Sequence, residues 1–217
     1  MKMDLQNNRK VAIAKNIWVK YMNNRLTRNV MMIGLILTLS GCVGVGKGHS
    51  SNAVYDFGFT IDKSSLTSVV PVQDIGRKVP LDNRHIRYRL AYDNVARVYF
   101  YADSHWSTTP AELLTQKLKE IAAKPTQENC SLQIELEIFD HVFDTKLESK
   151  GVALLMATLM QKKTRTVIAS QLFKEEVTAN TADARGGVAA LSQAGMKAIN
   201  NIILWSNQQA QSSGLCL

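Results

Sequence analysis

Residues 131–143 read SLQIELEIFDHVF, with apolar side chains at every second position from Leu132 to Ile138. This alternation indicates a β-strand whose apolar residues share one buried face. Two long segments follow: KGVALLMATLMQ (150–161) is apolar at nearly every position, as in a central strand, and TRTVIASQLFKEEV (164–177) returns towards alternation. Because short polar breaks separate the three segments, the sequence predicts that they pair antiparallel.

Three shorter strand patterns precede this region. They are VYDFGFTI (54–61), HIRYRLAY (85–92) and ARVYFYA (96–102), and the last two would form a hairpin. In HIRYRLAY, Arg87 and Arg89 alternate with the apolar residues, so we expect them on the polar face of a half-buried strand.

Two helices complete the predicted fold. Thr109, Pro110 and Glu112 form a capping box that starts the first helix. The second helix, over about 183–207, has apolar residues at three- and four-residue steps. The predicted class is α+β: an antiparallel sheet of about five to six strands with two helices packed on one face.

The N-terminal part has the pattern of a bacterial lipoprotein signal. Arg25 and Arg28 precede the ten apolar residues 30–39, a stretch too short to span a bilayer. Gly41 then precedes Cys42, as in a lipobox. This pattern predicts cleavage between Gly41 and Cys42 and covalent attachment of lipid to Cys42. We expect no other cofactor.

Other interpretations of this segment are less well supported. Gly41, Gly46 and Lys47 match the spacing of a phosphate-binding loop, but Gly48 stands where that motif needs Ser or Thr. A buried apolar helix followed by a glycine turn is a further alternative. We also hypothesise that translation starts at Met22, which would make residues 1–21 an over-extended gene start.

These patterns divide the chain into a signal peptide (1–41), a lipidated cysteine with a flexible tether (42–53), a single α+β domain (54–208) and a C-terminal tail (209–217). Residues 1–41 contain seven Lys or Arg and one Asp, so most of the formal net charge of +8 belongs to the signal. The nearly neutral remainder gives no basis for nucleic-acid binding.

The other two cysteines, Cys130 and Cys216, would lie in an oxidising compartment where a disulfide persists. Their spacing alone leaves open whether they form a disulfide or remain two unrelated thiols.

Catalytic and metal-binding patterns are absent from the sequence. The four histidines are scattered, and none pairs with another His or a Cys at metal-ligand spacing. Glu135 and Glu137 fall on the solvent face of their strand. Asp140, His141 and Asp144 form a polar group that we interpret as a strand end. We therefore expect no enzyme activity and no metal site.

Trp106 lies in a polar stretch between a strand and a capped helix. Its ring would either cover the start of the helix or, together with Tyr99 and Tyr101, form a partner surface, since exposed Trp and Tyr concentrate at interfaces.

The segment 86–118, IRYRLAYDNVARVYFYADSHWSTTPAELLTQKL, resembles the most recognisable block of the ABC-type transport auxiliary lipoproteins, the family of paraquat-inducible protein C. The matching features are Tyr88-Arg89, the Y-x-x-x-x-W from Tyr101 to Trp106, and Pro110–Leu114. The segments LEIFDHVFD and IILWSN also resemble later parts of that family. YDFGF departs from the usual Tyr followed by Leu and Pro, which leaves the pairing of the first strand open.

This resemblance implies a non-catalytic component of an intermembrane lipid transport system. Its partner would be a tunnel protein with mammalian-cell-entry (MCE) domains, and formation of a homo-oligomer is plausible by analogy. Val43 follows Cys42 in place of the Asp that retains lipoproteins at the inner membrane, which favours the periplasmic face of the outer membrane. The alternatives are a lipid-binding or lipid-shuttling lipoprotein and a lipoprotein regulator of a cell-wall synthase.

Overall fold

A computed structural model gives the conformation of the chain. The structure describes residues 52–58, 66–77, 81, 83–121 and 125–216. The predicted signal peptide, its cleavage site, Cys42 and nearly all of the tether lie outside these residues.

Seven strands and three helices follow one another along the described chain. They are β1 (Ala53–Tyr55), β2 (Gly76–Arg77), β3 (His85–Leu90), α1 (Ala91–Asn94), β4 (Val95–Trp106), α2 (Pro110–Ile121), β5 (Cys130–Phe143), β6 (Ser149–Gln161), β7 (Thr166–Thr178) and α3 (Ala184–Ser213).

The strands form one seven-stranded sheet in the order β1-β4-β3-β5-β6-β7, with β2 beside β5. The β5–β6–β7 pairings and the β3–β4 pairing are antiparallel, as predicted. Three pairings are parallel: β1 with β4, β2 with β5, and β3 with β5. The sheet is therefore mixed, and the prediction of a purely antiparallel sheet of five to six strands is wrong. The strands β1 and β2 have three and two residues, too few to show alternation.

A β-bulge in β5 changes which residues face the helices. The register with β6 shifts between Leu136 and Ile138. Leu136 is buried, Ile138 is half-buried, and Phe139 takes the next buried position. Ile138 was expected beside Leu136 on the buried face. The extra residue reverses the alternation instead, so Phe139, His141 and Phe143 point towards the helices.

The two long helices pack on the same face of the sheet. The Thr109 N–H donates to Glu112 Oε2 at 3.1 Å and the Glu112 N–H donates to Thr109 Oγ1 at 3.4 Å, so the predicted capping box is confirmed. An added Cβ on Gly195 of α3 would come within 2.7 Å of Leu114 in α2 and 3.3 Å of Phe139 in β5. The absent side chain is what brings these three elements together.

Trp106 lies inside this packing, with 1% of its surface exposed. Its ring centroid is 5.6 Å from that of Phe57 and 5.8 Å from that of Phe139. The structure thus supports the interpretation that Trp106 belongs to the core, and it corrects the alternative that this ring is a partner anchor.

The C-terminal region is part of the domain. The helix α3 runs to Ser213 rather than ending near 207, and Gly214 ends it with a φ of 63°. Cys216 is fully buried and forms a disulfide with Cys130, with their Cα atoms 5.1 Å apart. Residues 209–216 of the predicted tail are therefore ordered, because the disulfide fixes the chain end to the start of β5.

Smaller boundary differences occur near the N-terminus and the hairpin. Ala53, expected in the tether, is the first residue of β1, and residues 59–61 of the predicted first strand lie outside the described residues. The predicted strand 85–92 ends at Leu90 because the short helix α1 turns the chain into β4. No helix within the described part of the chain is long and apolar enough to cross a membrane.

Candidate functional site

The face of the sheet opposite α2 and α3 is covered by neither of these helices. We call it the open face. Alternation along each strand places on this face a set of apolar residues that are half-buried or exposed. These residues include Ile138, Val142, Leu154, Met156 and Leu172, together with Phe100 from β4.

A groove of about 410 Å³ lies on the open face. Ile138, Val142 and Val152 give it an apolar lining. Its ionic residues form pairs with one another: Arg89 with Asp140, Lys150 with Asp144 and Glu176, and Lys174 with Glu176. The groove therefore combines an apolar surface with charges that are already balanced.

A buried ionic cluster lines part of this groove. Asp140 of β5 is fully buried, and its carboxylate lies 2.9 Å from Arg87 Nε and 2.5 Å from Arg89 Nε. The parallel pairing of β3 with β5 places Arg87 directly beside Asp140. Two guanidinium groups share one carboxylate, and burial lowers the pKa of Arg87. Arg87, expected on the polar face of a half-buried strand, is buried because it neutralises Asp140.

Arg89 also fixes the hairpin between β3 and β4. Its Nη1 donates to the carbonyl oxygens of Val95 at 2.9 Å and Ala96 at 3.3 Å. The short helix α1 lies between these strands, so the same side chain connects the turn to Asp140. The cluster thereby joins the hairpin to the centre of the sheet.

A second polar group lies on the helix side of the same strands. His141 is fully buried, and its Nδ1 is 2.8 Å from Tyr101 Oη. The ring lies against Gly187 in the first turn of α3, where an added Cβ would come within 2.6 Å of His141 Cγ. Burial lowers the pKa of His141 to about 4, although Asp183 acts in the opposite direction. His141 is therefore neutral at pH 7.

This depressed pKa predicts a pH-dependent loss of stability. A histidine in the unfolded chain has a pKa of about 6.5. Between that pH and about 4, the unfolded state therefore binds a proton that His141 in the folded state does not bind. The contribution of His141 to stability should fall as the pH drops from about 6.5 towards about 4. Urea unfolding at pH 7 and pH 5 measures this effect.

The variant His141→Gln retains a partner for Tyr101 without a titrating group. We expect its stability to change less between pH 7 and pH 5 than that of the unsubstituted protein. An equal change in both proteins would show that His141 does not cause the pH dependence.

The site residues predicted from the sequence lie in different parts of the structure. Tyr99 and Tyr101 are half-buried, and Tyr88 stacks between them with ring centroids at 5.1 and 4.8 Å. With Trp106 buried, the three predicted residues do not form one exposed surface. Cys130 and Cys216 meet in the disulfide, whereas Gly41 and Cys42 lie outside the described residues.

Comparisons with known proteins identify the fold. No family model matches the chain, and no curated protein matches its sequence. The crystal structure of protein XCC0632 from Xanthomonas campestris, described under family DUF330, has a TM-score of 0.61 at 15% identity, covering 75% of this chain and 94% of that one.

Two further solved structures are similar to different degrees. An uncharacterized protein has a TM-score of 0.55 at 12% identity, with 71% of this chain and 98% of that chain covered. Lipoprotein GNA1162 from Neisseria meningitidis has a TM-score of 0.26 at 12% identity, covering 63% of this chain and 99% of that chain. The chain shares its α+β fold with the Xanthomonas protein.

Proposed function

We propose that this protein is a lipid-anchored, non-catalytic component of the bacterial envelope that docks a partner protein at the periplasmic face of the outer membrane. The partner is an MCE-domain tunnel protein of an ABC-type lipid transport system. The lipobox ending at Cys42 and the family resemblance of residues 86–118 support this role.

The open face is the observation that carries the docking proposal. Leu172 is 49% exposed and Phe100 is 50% exposed, and both lie on a face that α2 and α3 leave uncovered. Half-buried apolar residues of β5 and β6 lie on the same face, next to the ion pairs formed by Arg89, Lys150 and Lys174. Protein interfaces combine apolar and polar side chains, and exposed apolar residues on a sheet face are typical of interaction surfaces.

The anchor would assist docking in a simple way. Few residues separate Cys42 from β1 at Ala53, and Gly, Ser and Asn are frequent among them. A short tether of this composition would keep the domain near the membrane and raise the effective concentration of a nearby partner surface to about the millimolar range.

The groove favours a second candidate function, the binding of an amphiphilic lipid. Its volume of about 410 Å³ lies within the range of small-molecule sites, and its lining combines apolar and ionic side chains. In this alternative, the apolar lining holds part of an acyl chain and the protein shuttles lipid without a docked partner.

Cross-linking followed by extraction in mild detergent separates these functions. We expect an MCE-domain protein to co-purify with the unsubstituted protein and to be lost with Leu172→Asp on the open face. Leu204→Asp is the matched control, because Leu204 on α3 is 56% exposed. A cell-wall synthase in the eluate would replace the transport role with the regulatory one. Co-purified lipid without protein would favour the lipid carrier.

A further inference from the structure

Two histidines that are distant in the sequence lie side by side at one end of the β3–β4 ladder. His85 and His105 are directly opposite each other in the antiparallel register. Their ring centroids are 5.8 Å apart, with the ring planes at 46°. His85 is exposed and His105 is half-buried, so solvent reaches the pair.

The ring nitrogens of both imidazoles lack partners among the described residues. Among those residues, neither ring forms a hydrogen bond or an ion pair, and His85 packs against Phe100 with ring centroids at 5.1 Å. Polar ring atoms that are accessible and lack protein partners remain available to bind a ligand.

The backbone around the pair is held from several sides. The His85 N–H donates to Asn83 Oδ1 at 3.0 Å, and the Trp106 N–H donates to the Arg84 carbonyl at 2.8 Å. On the other side of β4, His105 is paired with Val54 of β1. The two Cα positions are therefore fixed by the sheet, which reduces the reorganisation that a bound ion would require.

We propose that His85 and His105 together bind one divalent late transition-metal ion, of which Zn²⁺ is the simplest probe. Zn–N bonds of about 2.0–2.1 Å with near-tetrahedral angles place two coordinating rings with their centroids roughly 5–6 Å apart. The observed 5.8 Å lies in this range. Imidazole ligands favour Zn²⁺, Cu²⁺ and Ni²⁺ over Mg²⁺ and Ca²⁺.

Water would complete the coordination sphere. Within the described residues, no cluster of three or more His, Cys, Asp or Glu side chains is arranged to hold a metal ion. With two protein ligands, the remaining coordination positions would be filled by water or by an added ligand, unlike those of a closed four-ligand structural site. The nineteen intervening residues, 86–104, separate the two ligands in the sequence, which is why motif spacing gave no indication of the pair.

Isothermal titration of the full, untagged chain with Zn²⁺ tests this proposal. All proteins carry Cys42→Ser, so that no thiol at this position competes for the ion. We expect one saturable site, with affinity at least roughly tenfold weaker in His85→Asn and in His105→Asn. His49→Asn is the matched control, since it removes a histidine outside the pair, and Mg²⁺ should give no binding.

A thermal unfolding series gives a second readout. Zn²⁺ should raise the Tm of the Cys42→Ser protein, because an ion that binds the folded state stabilises it. At the same Zn²⁺ concentration, each ligand variant should show a smaller increase in Tm over its own metal-free value than the Cys42→Ser protein does. Absence of saturable binding, unchanged affinity in either ligand variant, or an equal loss in His49→Asn would each overturn the proposal.

Discussion

Substitution of Asp140 by Ala is expected to lower the free energy of unfolding by about 3–5 kcal/mol, because removal of one partner from a buried ionic group leaves an uncompensated charge. Asp140 is fully buried, and Arg87 has 9% of its side chain exposed. After the substitution, the two arginines would face each other without the carboxylate that neutralises them. Equilibrium unfolding in urea measures the change.

The matched control for this prediction is Asp74→Ala. Asp74 pairs with Lys119 at 2.8 Å, but the two side chains are 74% and 66% exposed. Surface pairs of this kind contribute roughly 0–1 kcal/mol, so this variant should be almost as stable as the unsubstituted protein. If Asp140→Ala were no more destabilising than Asp74→Ala, the cluster would not hold the β3–β5 junction together.

Loss of the disulfide should have the other large effect. We expect Cys130→Ala combined with Cys216→Ala to lower the free energy of unfolding by about 2–5 kcal/mol, mainly because the disulfide limits the freedom of the unfolded chain. The two cysteines are 86 residues apart in sequence, and the enclosed segment includes β5, β6, β7 and α3. For a loop of this size, the expected entropic stabilisation by a disulfide is near the upper end of its usual range.

Denaturant unfolding with and without a reductant measures this contribution. Reduction should bring the parent protein close to the stability of the double variant, whereas the double variant should not respond to reductant. Both proteins carry Cys42→Ser, so that residues 130 and 216 are the remaining thiol positions. Two titratable thiols in the denatured, unreduced parent protein would contradict the presence of the disulfide.

The predictable part of the fold is the part set by local periodicity. The strands β5, β6 and β7 are long, so alternation and short breaks were enough to predict their antiparallel pairing. The capping box at Thr109 involves residues three positions apart, so it was also visible in the sequence. The parallel pairings involve residues far apart in sequence, and no local pattern encodes them.

The candidate site was less predictable because it depends on these distant pairings. Arg87 appeared to be an ordinary polar-face residue until the pairing of β3 with β5 placed it beside Asp140. The bulge after Leu136 adds one residue to β5 and changes which side of the sheet Asp140 and His141 face. Asp140 and His141, polar residues within a strongly apolar strand, were the available signal; we interpreted them as a strand end, whereas the structure buries both with partners.

We propose above that the open face docks an MCE-domain protein in the envelope. The most direct measurement places a photo-cross-linking amino acid at position 172 on the open face, or at position 204 on α3, in the lipidated protein within cells. We predict a cross-linked MCE-domain protein from position 172 and none from position 204. Cross-linking of that protein from position 204 alone, or from neither position, would contradict it.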